Sequence, residues 1–295
     1  MELRHLRYFV AVAEELHFTR AAQRLHIGQP PLSQQIQALE QELGVQLFTR
    51  TKRSVALTDA GRHLLGRARE LLASTGTLAE EVRRIARGEV GELRIGFTST
   101  LPLTSLLRDA VGDYRRQCPE VALQLREMYT AEQFDALRRR EIDVGFVRFN
   151  SPKAPDGVKL KVLRRDPLRL IVPAAHRFAK RKSVSIKECR DERFVGFPPS
   201  AGTGTAVLLQ QLCAQAGFVP QISQEAGEAT TQIGLVAVGL GVAVLPAPLE
   251  AVRIEGVRYI PLADKDAVLV MSAATREDEG AERVLRFVRS LHVAR

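Results

Sequence analysis

The chain has 295 residues, 45% of them hydrophobic and 26% charged, with a formal net charge of +9. That length suits two or three domains, and the composition excludes a disordered chain. The sequence pI near 9.9 leans towards a polyanionic partner, yet residues 1–57 hold only seven Lys/Arg against five Asp/Glu. A solvated basic surface therefore explains the excess equally well. No run of 18 apolar residues occurs, so no membrane span is expected, and Met1-Glu2-Leu3-Arg4-His5 lacks the apolar stretch of a signal peptide. Cys118, Cys189 and Cys213 are far apart, odd in number and without CxxC spacing. They read as reduced thiols in a cytoplasmic protein, with a thiol switch as the alternative.

Leu6, Phe9, Val10, Ala13 and Leu16 recur at helical spacing and define a first helix. Thr19 then serves as the expected N-cap of a second helix whose Ala21, Ala22 and Leu25 face inwards. After the turn His26-Ile27-Gly28, prolines 30 and 31 suit a first helical turn, where a missing N–H costs nothing. Leu32, Ile36, Leu39 and Leu43 give the third helix its apolar stripe, and Gly44 ends it. Its outer face offers Gln29, Ser33, Gln34 and Gln37. A glutamine amide can pair bidentately with adenine in the major groove, and a serine reaches base or phosphate. Two helices joined by a tight turn, the second polar outside, make a helix-turn-helix; a helical hairpin with a wet face is the plain alternative. Beyond it, Leu47-Phe48 and Ser54-Val55-Ala56-Leu57 flank a basic tip. This predicts a β-hairpin wing whose Arg50, Lys52 and Arg53 meet the phosphate backbone.

Residues 1–65 resemble the LysR-type transcriptional regulators. The resemblance is carried by Phe9, Val12-Ala13-Glu14, Phe18-Thr19-Arg20-Ala21-Ala22, Leu25, Gln29-Pro30, Leu32-Ser33, Gln35-Ile36, Leu39-Glu40, Leu43-Gly44, Leu47-Phe48, Arg50 and Leu57-Thr58-Asp59-Ala60-Gly61. Gly28 departs from it, standing where the family usually has a capping Ser. The resemblance implies an α/β protein with an N-terminal winged helix-turn-helix, a long linker helix and a two-subdomain effector domain like periplasmic solute-binding proteins. Thr19, Arg20, Gln29, Pro30, Ser33, Gln34, Gln37, Arg50, Lys52 and Arg53 are the expected DNA-binding set, and no enzyme activity, metal or cofactor is expected.

Thr58 and Asp59 suit the start of a further helix. Leu64, Ala68, Leu71, Thr75, Leu78, Val82 and Ile85 then alternate spacings of four and three, a coiled-coil seam weakened at Thr75. Leu64, Ala68, Leu71, Leu78, Val82 and Ile85 are the expected dimer contacts; packing on the chain's own effector domain is the alternative. Residues 87–91 break this helix. Similar proteins dimerise through it and assemble as tetramers, which implies an imperfectly palindromic operator. The expected domains are 1–58 for DNA binding, 59–90 for linker and hinge, and 91–295 for effector binding.

From residue 92 the pattern alternates strands (92–97, 121–128, 143–147, 168–172, 193–197, 242–245, 268–274) and helices (101–117, 132–140, 206–216, 230–238, 282–291). This α/β layout predicts a mainly parallel sheet. The family likeness places subdomain I at 91–161 and 267–295 and subdomain II at 162–266. Ligands in open α/β sheets bind beyond the carboxyl ends of strands. That rule selects Ser99, Thr100, Thr130 and Arg148 from one half and Thr203 and Thr205 from the glycine-rich 198–205 stretch of the other. Hydroxyls and free N–H groups there suit a carboxylate. Glu228, preceding a helix, is either a solvated glutamate or the residue that faces Arg148 across the cleft.

The fit is nearest to the subgroup controlling aromatic-compound degradation (benzoate, catechol, muconate), on Glu127-Met128, Thr130, Gly145-Phe146, Arg148, Gly234-Leu235-Val236-Ala237 and Pro246-Ala247. Ser99 and Thr130 match its ligand-contacting positions, which implies a muconate-like or aromatic acid as small-molecule effector. Thr203 and Thr205 fall where that subgroup can carry Pro and Phe, so this pocket is more polar. The family likeness favours an activator that works with RNA polymerase. Against the rival classes, the six histidines form no HExxH, and no GxSxG or Walker sequence occurs. An exported solute-binding protein would need a leader, and an architectural DNA binder would leave the cleft unused.

Overall fold

In the computed structural model, which describes residues 1–51, 54–151 and 153–292, helices α1 (Leu3–Glu15), α2 (Phe18–Arg24) and α3 (Gln29–Leu43) precede a hairpin of β1 (Phe48–Arg50) and β2 (Val55–Leu57) and the long helix α4 (Asp59–Ala86). Two compact units divide within α4, at Met1–Arg84 and Ile85–Arg295. In the first, Leu32, Ile36 and Leu39 are fully buried with Phe9, Val12, Ala21 and Phe48. Each such large side chain contributes roughly 1.5–3 kcal/mol by leaving water. Phe48 gathers Phe9 and Phe18 at ring-centroid distances of 5.4 and 6.0 Å, tying hairpin to helices. Gly28 caps α3 at one end and Gly44, at φ +69°, closes the other.

Two local expectations change. His17, not Thr19, caps α2: its Nδ1 accepts from the Arg20 N–H at 3.4 Å, and Thr19 is already inside the helix. On α1 the inner face takes Val12, whereas Leu16 lies beyond the helix in a left-handed turn and is exposed. Thr58 does open α4, its Oγ1 accepting from the Gly61 N–H at 3.0 Å.

The second unit contains β3 (Val90–Phe97), α5 (Ser105–Gln117), β4 (Glu120–Glu127), α6 (Thr130–Arg138), β5 (Val144–Arg148) and β6 (Val158–Pro173). It continues with β7 (Arg193–Gly196), α7 (Gly204–Gln215), β8 (Gln221–Glu225), α8 (Ala229–Ala237), β9 (Ala243–Pro246), β10 (Val257–Pro261), β11 (Val268–Arg276) and α9 (Glu282–Ser290). The helix expected over 101–117 is broken at Thr104, with a 3-10 turn before it.

The sheet is mixed and not mainly parallel. β3 runs parallel to β4 and β5, and β7 parallel to β8, but β11, β6, β9 and β10 pair antiparallel. The reason lies in β6, whose 16 residues far exceed a typical strand. It pairs with β11 as far as Pro167, beyond the crossing expected near residue 162, and from Leu168 turns to β9 and β10. One strand thus serves two sheets, each with its own core. Tyr114, Phe146 and Phe287 anchor the first, and Phe194, Leu212 and Val244 the second. β8 and β10 escape sequence reading because β8 is largely polar and exposed and β10 is a short run after Gly256.

Cys118, Cys189 and Cys213 are all buried. Burial pushes the Cys189 and Cys213 thiols up to about 12, which leaves them inert at neutral pH.

Candidate functional site

In the first unit α3 presents Gln29, Pro30, Gln34 and Gln37 to solvent, with Ser33 half-buried beside them. Gln35, one position off this face, is held by the His5 ring at 3.0 Å. Thr19 and Arg20 are exposed on α2, and Arg20 donates to the Glu15 carbonyl at 2.6 Å. This leaves an uncharged, amide-rich ridge on a helix whose back is locked into the core.

Arg50 does something other than expected. Its Nη2 donates to Glu40 Oε2 at 2.7 Å, and its guanidinium lies 4.9 Å from the Phe18 ring centroid. Glu40 is only 3% exposed, and its Oε1 also accepts the Leu47 and Phe48 N–H groups at 2.9 and 3.1 Å. Arg50 therefore neutralises a buried carboxylate that fastens the hairpin to α3. Lys52 and Arg53 lie outside the described residues.

The seam on α4 divides in two. Ala68 is fully buried against the core of the N-terminal unit and so is removed from the expected dimer contacts, while Leu64 is partly buried against the same core. Leu71, Leu78, Val82 and Ile85 are 50–60% exposed. The helix grips its own domain for its first three turns, and only the later part of the stripe is left uncovered.

In the second unit, Ser99, Thr100, Thr130, Arg148, Thr203 and Thr205 all line one cavity of about 260 Å³. Arg148 ends β5 and is 3% exposed. Its Nε donates to Thr100 Oγ1 at 3.1 Å and its Nη1 to Asp166, while Nη2 is buried without an acceptor among the described residues. Burial pushes the Arg148 pKa down, and the Asp166 carboxylate opposes that push. Asp166, fully buried on β6, also binds Arg164 at 2.7 Å. Of the two readings of Glu228, the pairing with Arg148 is not formed: Asp166 is that partner, and Glu228 is exposed. Two cations share that one carboxylate.

The six residues differ in what their side chains have left to give. Thr130 Oγ1 bridges the Arg148 backbone, accepting its N–H at 3.1 Å, and Thr203 Oγ1 caps α7 through Ala206 N at 3.2 Å. Ser99 and Thr205 have no side-chain hydrogen bond among the described residues. The N-termini of α6, α7 and α8 all bring residues to the cavity wall. Their first-turn N–H groups add positive potential there.

Sequence reading missed several parts. Tyr129, in the cavity wall, donates its hydroxyl to the Gly227 carbonyl at 2.9 Å, joining the turn before α6 to the turn before α8. Gly204 approaches so closely that a Cβ on it would lie 2.1 Å from the Arg148 carbonyl oxygen. Buried Gln133 and Gln232 brace the turns entering α6 and α8, donating to the Met128 and Ala226 carbonyls, both at 3.0 Å. Gln133 and Gln232 sit at the same offset within two strand-turn-helix units, a repeat visible only after folding. Glu127, Glu132 and Glu228 complete the acidic part of the wall. Burial, then the neighbouring Glu127, holds the Glu228 carboxyl above its ordinary range.

Among the described residues no group of His, Cys, Asp or Glu is placed to hold a metal. No helix is long and apolar enough to cross a membrane.

Comparison with known proteins places these two sites in context. Residues 3–62 match the family model for bacterial regulatory helix-turn-helix proteins of the lysR family, and residues 86–294 match that for the LysR substrate binding domain. The chain is 46% identical over 271 residues to YnfL of Escherichia coli K12, an uncharacterized HTH-type transcriptional regulator, covering 92% of this chain and 91% of that protein. It is 37% identical over 281 residues to the HTH-type transcriptional regulator BenM of Acinetobacter baylyi, covering 95% and 91%. Among solved structures, full-length CbnR complexed with its target DNA is similar at a TM-score of 0.76 and 31% identity, over 99% of this chain and 98% of that one.

Proposed function

Because the chain belongs to the LysR family and is a DNA-binding transcriptional regulator with an effector-binding domain, we propose that it is switched by a small carboxylate-bearing effector held in the cavity at Arg148. One observation carries this reading. Six residues from separate elements of both subdomains line one cavity, and Arg148 within it has a buried N–H group without an acceptor. An acid there would be held by the Ser99 and Thr205 hydroxyls and would meet the charge of Arg148. Thr100, Thr130 and Thr203 shape the wall and fix Arg148 and α7. Of the likeness to aromatic-acid regulators we carry over the carboxylate and not the ring, since BenM is the less similar of the two relatives and Thr203 and Thr205 make the wall polar.

On the DNA side, α3 lies in the major groove with Gln29, Pro30, Ser33, Gln34 and Gln37 towards the bases, and Thr19 and Arg20 meet the backbone. Replacing Gln34 by alanine should relax base preference at one operator position by about 1–3 kcal/mol. Parallel binding curves on operator variants, read by fluorescence anisotropy, check this; an unchanged preference would remove Gln34 from base readout. Leu71, Leu78, Val82 and Ile85 form the seam with a second copy, and paired heads read an imperfect palindrome. Leu78→Asp is expected to yield monomers by light scattering and to lose operator protection at concentrations where the unaltered protein gives it. Persistence of the oligomer would assign the seam another role.

Effector binding favours one closure of the two subdomains and so one arrangement of the heads, which changes the promoter's access to RNA polymerase; the net effect is activation. The test is a footprint upstream of the chain's own gene, with and without cis,cis-muconate, benzoate and small polar acids. A protected imperfect palindrome whose extent changes with an acid supports the reading. Protection that no acid alters would count against a carboxylate effector.

A further inference from the structure

The cavity wall combines a buried cation with exposed carboxylates. At its buried, inner side lie Arg148 and the hydroxyls of Ser99 and Thr205, which have no hydrogen-bond partner among the described residues. Its outer part carries Glu127, Glu132 and Glu228, all three exposed. Glu132 accepts from the Tyr129 N–H at 3.0 Å. Glu127 and Glu228 have no ion-pair partner among the described residues. The lining holds three glutamates against one arginine, so the wall as a whole is anionic. A dicarboxylate would satisfy the inner side and bring a second negative charge against three glutamates. A ligand with a carboxylate at one end and an ammonium at the other meets both sides with the charge they lack.

We infer that the effector is a small zwitterion, an amino acid or amine-bearing acid. Its carboxylate lies at Arg148, Ser99 and Thr205, and its ammonium lies between Glu127 and Glu228. This rests on the effector reading above and narrows its ligand class. A cavity of about 260 Å³ falls just under the range of drug-sized sites, which suits a molecule of amino-acid size. Glu228 closes the site from subdomain II and Glu127 from subdomain I, so an ammonium between them draws the subdomains together. The same two carboxylates repel each other when the site is empty: Glu127 helps to hold the Glu228 carboxyl above its ordinary range. Relief of that repulsion gives the ligand a differential affinity for the closed state, which any switch requires.

The test uses the full-length protein and matched pairs of ligands in calorimetric titration at neutral pH. L-leucine is paired with 4-methylpentanoate, L-phenylalanine with 3-phenylpropionate, L-glutamate with glutarate and 4-aminobutyrate with butyrate; cis,cis-muconate is run alongside. At least one amine-bearing member is expected to bind about tenfold more tightly than its partner, and the Glu127→Gln, Glu228→Gln double variant should abolish that preference. Both side chains are exposed, so the variant keeps its fold, checked by an unchanged melting temperature. Equal or tighter binding of the amine-free acids overturns the zwitterion and leaves the carboxylate effector standing. Binding by no member of any pair also overturns it. In that case a response to muconate keeps the small-acid reading, and silence from muconate as well removes both. A preference that survives in the double variant overturns the assignment of Glu127 and Glu228.

Discussion

Replacing Asp166 by alanine is expected to destabilise the effector domain by about 3–5 kcal/mol, because it leaves a buried guanidinium without its counter-charge. The Asp166 side chain is 1% exposed and that of Arg148 4%, so water cannot take over the lost contacts. Arg164, with its side chain 26% exposed, can reach solvent instead, so the penalty falls mainly on Arg148. Asp166 also stands where β6 is about to leave β11 for the second sheet, with its register partner at Leu269. The ion pair therefore ties Arg148, in the cavity wall, to the strand that passes from one sheet to the other. Urea unfolding of the full-length protein, followed by circular dichroism over the transition of the larger unit, measures the loss. Asp166→Asn should cost less than alanine, since an amide oxygen still accepts from one guanidinium. A loss under about 1 kcal/mol for alanine would mean that Arg148 does not depend on Asp166 and is held by Thr100 and packing.

The second large effect is expected at Glu40. Alanine there removes the acceptor of two backbone N–H groups and the partner of Arg50 in one step. A loss of about 3–5 kcal/mol should unfasten the β1–β2 hairpin from α3 and abolish operator binding with it. Arg50→Lys separates the structural role from a phosphate contact. If Arg50 serves Glu40, the variant weakens the fold while the salt dependence of DNA binding by the surviving folded protein keeps its slope. A direct phosphate contact that is kept by lysine would instead leave stability unchanged. Arg50→Ala in a stabilising osmolyte completes the comparison, because a lost phosphate contact would lower the logarithmic salt slope by about one.

The sequence by itself determined the order of the elements and the positions that face inwards. Leu32, Ile36 and Leu39 had to share one face because a helix turns every 3.6 residues. Gly28, Gly44 and Thr58 marked helix ends through local backbone chemistry, and the strand-to-helix switch points singled out Ser99, Thr130, Arg148 and Thr205 as residues that would meet. All of these are readings over short distances along the chain. Only the tertiary structure decided which partner each charge takes. Arg50 and Glu40 are ten residues apart and Arg148 and Asp166 eighteen, and nothing in spacing distinguishes Asp166 from the exposed Glu228 as the counter-charge of Arg148. The same holds for α4, where Ala68 and Leu78 belong to one seven-residue pattern yet face different surroundings. It holds also for β6, whose division between two sheets turned an expected parallel sheet into a mixed one. Periodicity records which side of an element is apolar. What covers that side, and which charge faces which, depends on loop closures that bring together residues far apart in the chain, and local pattern carries no information about those closures.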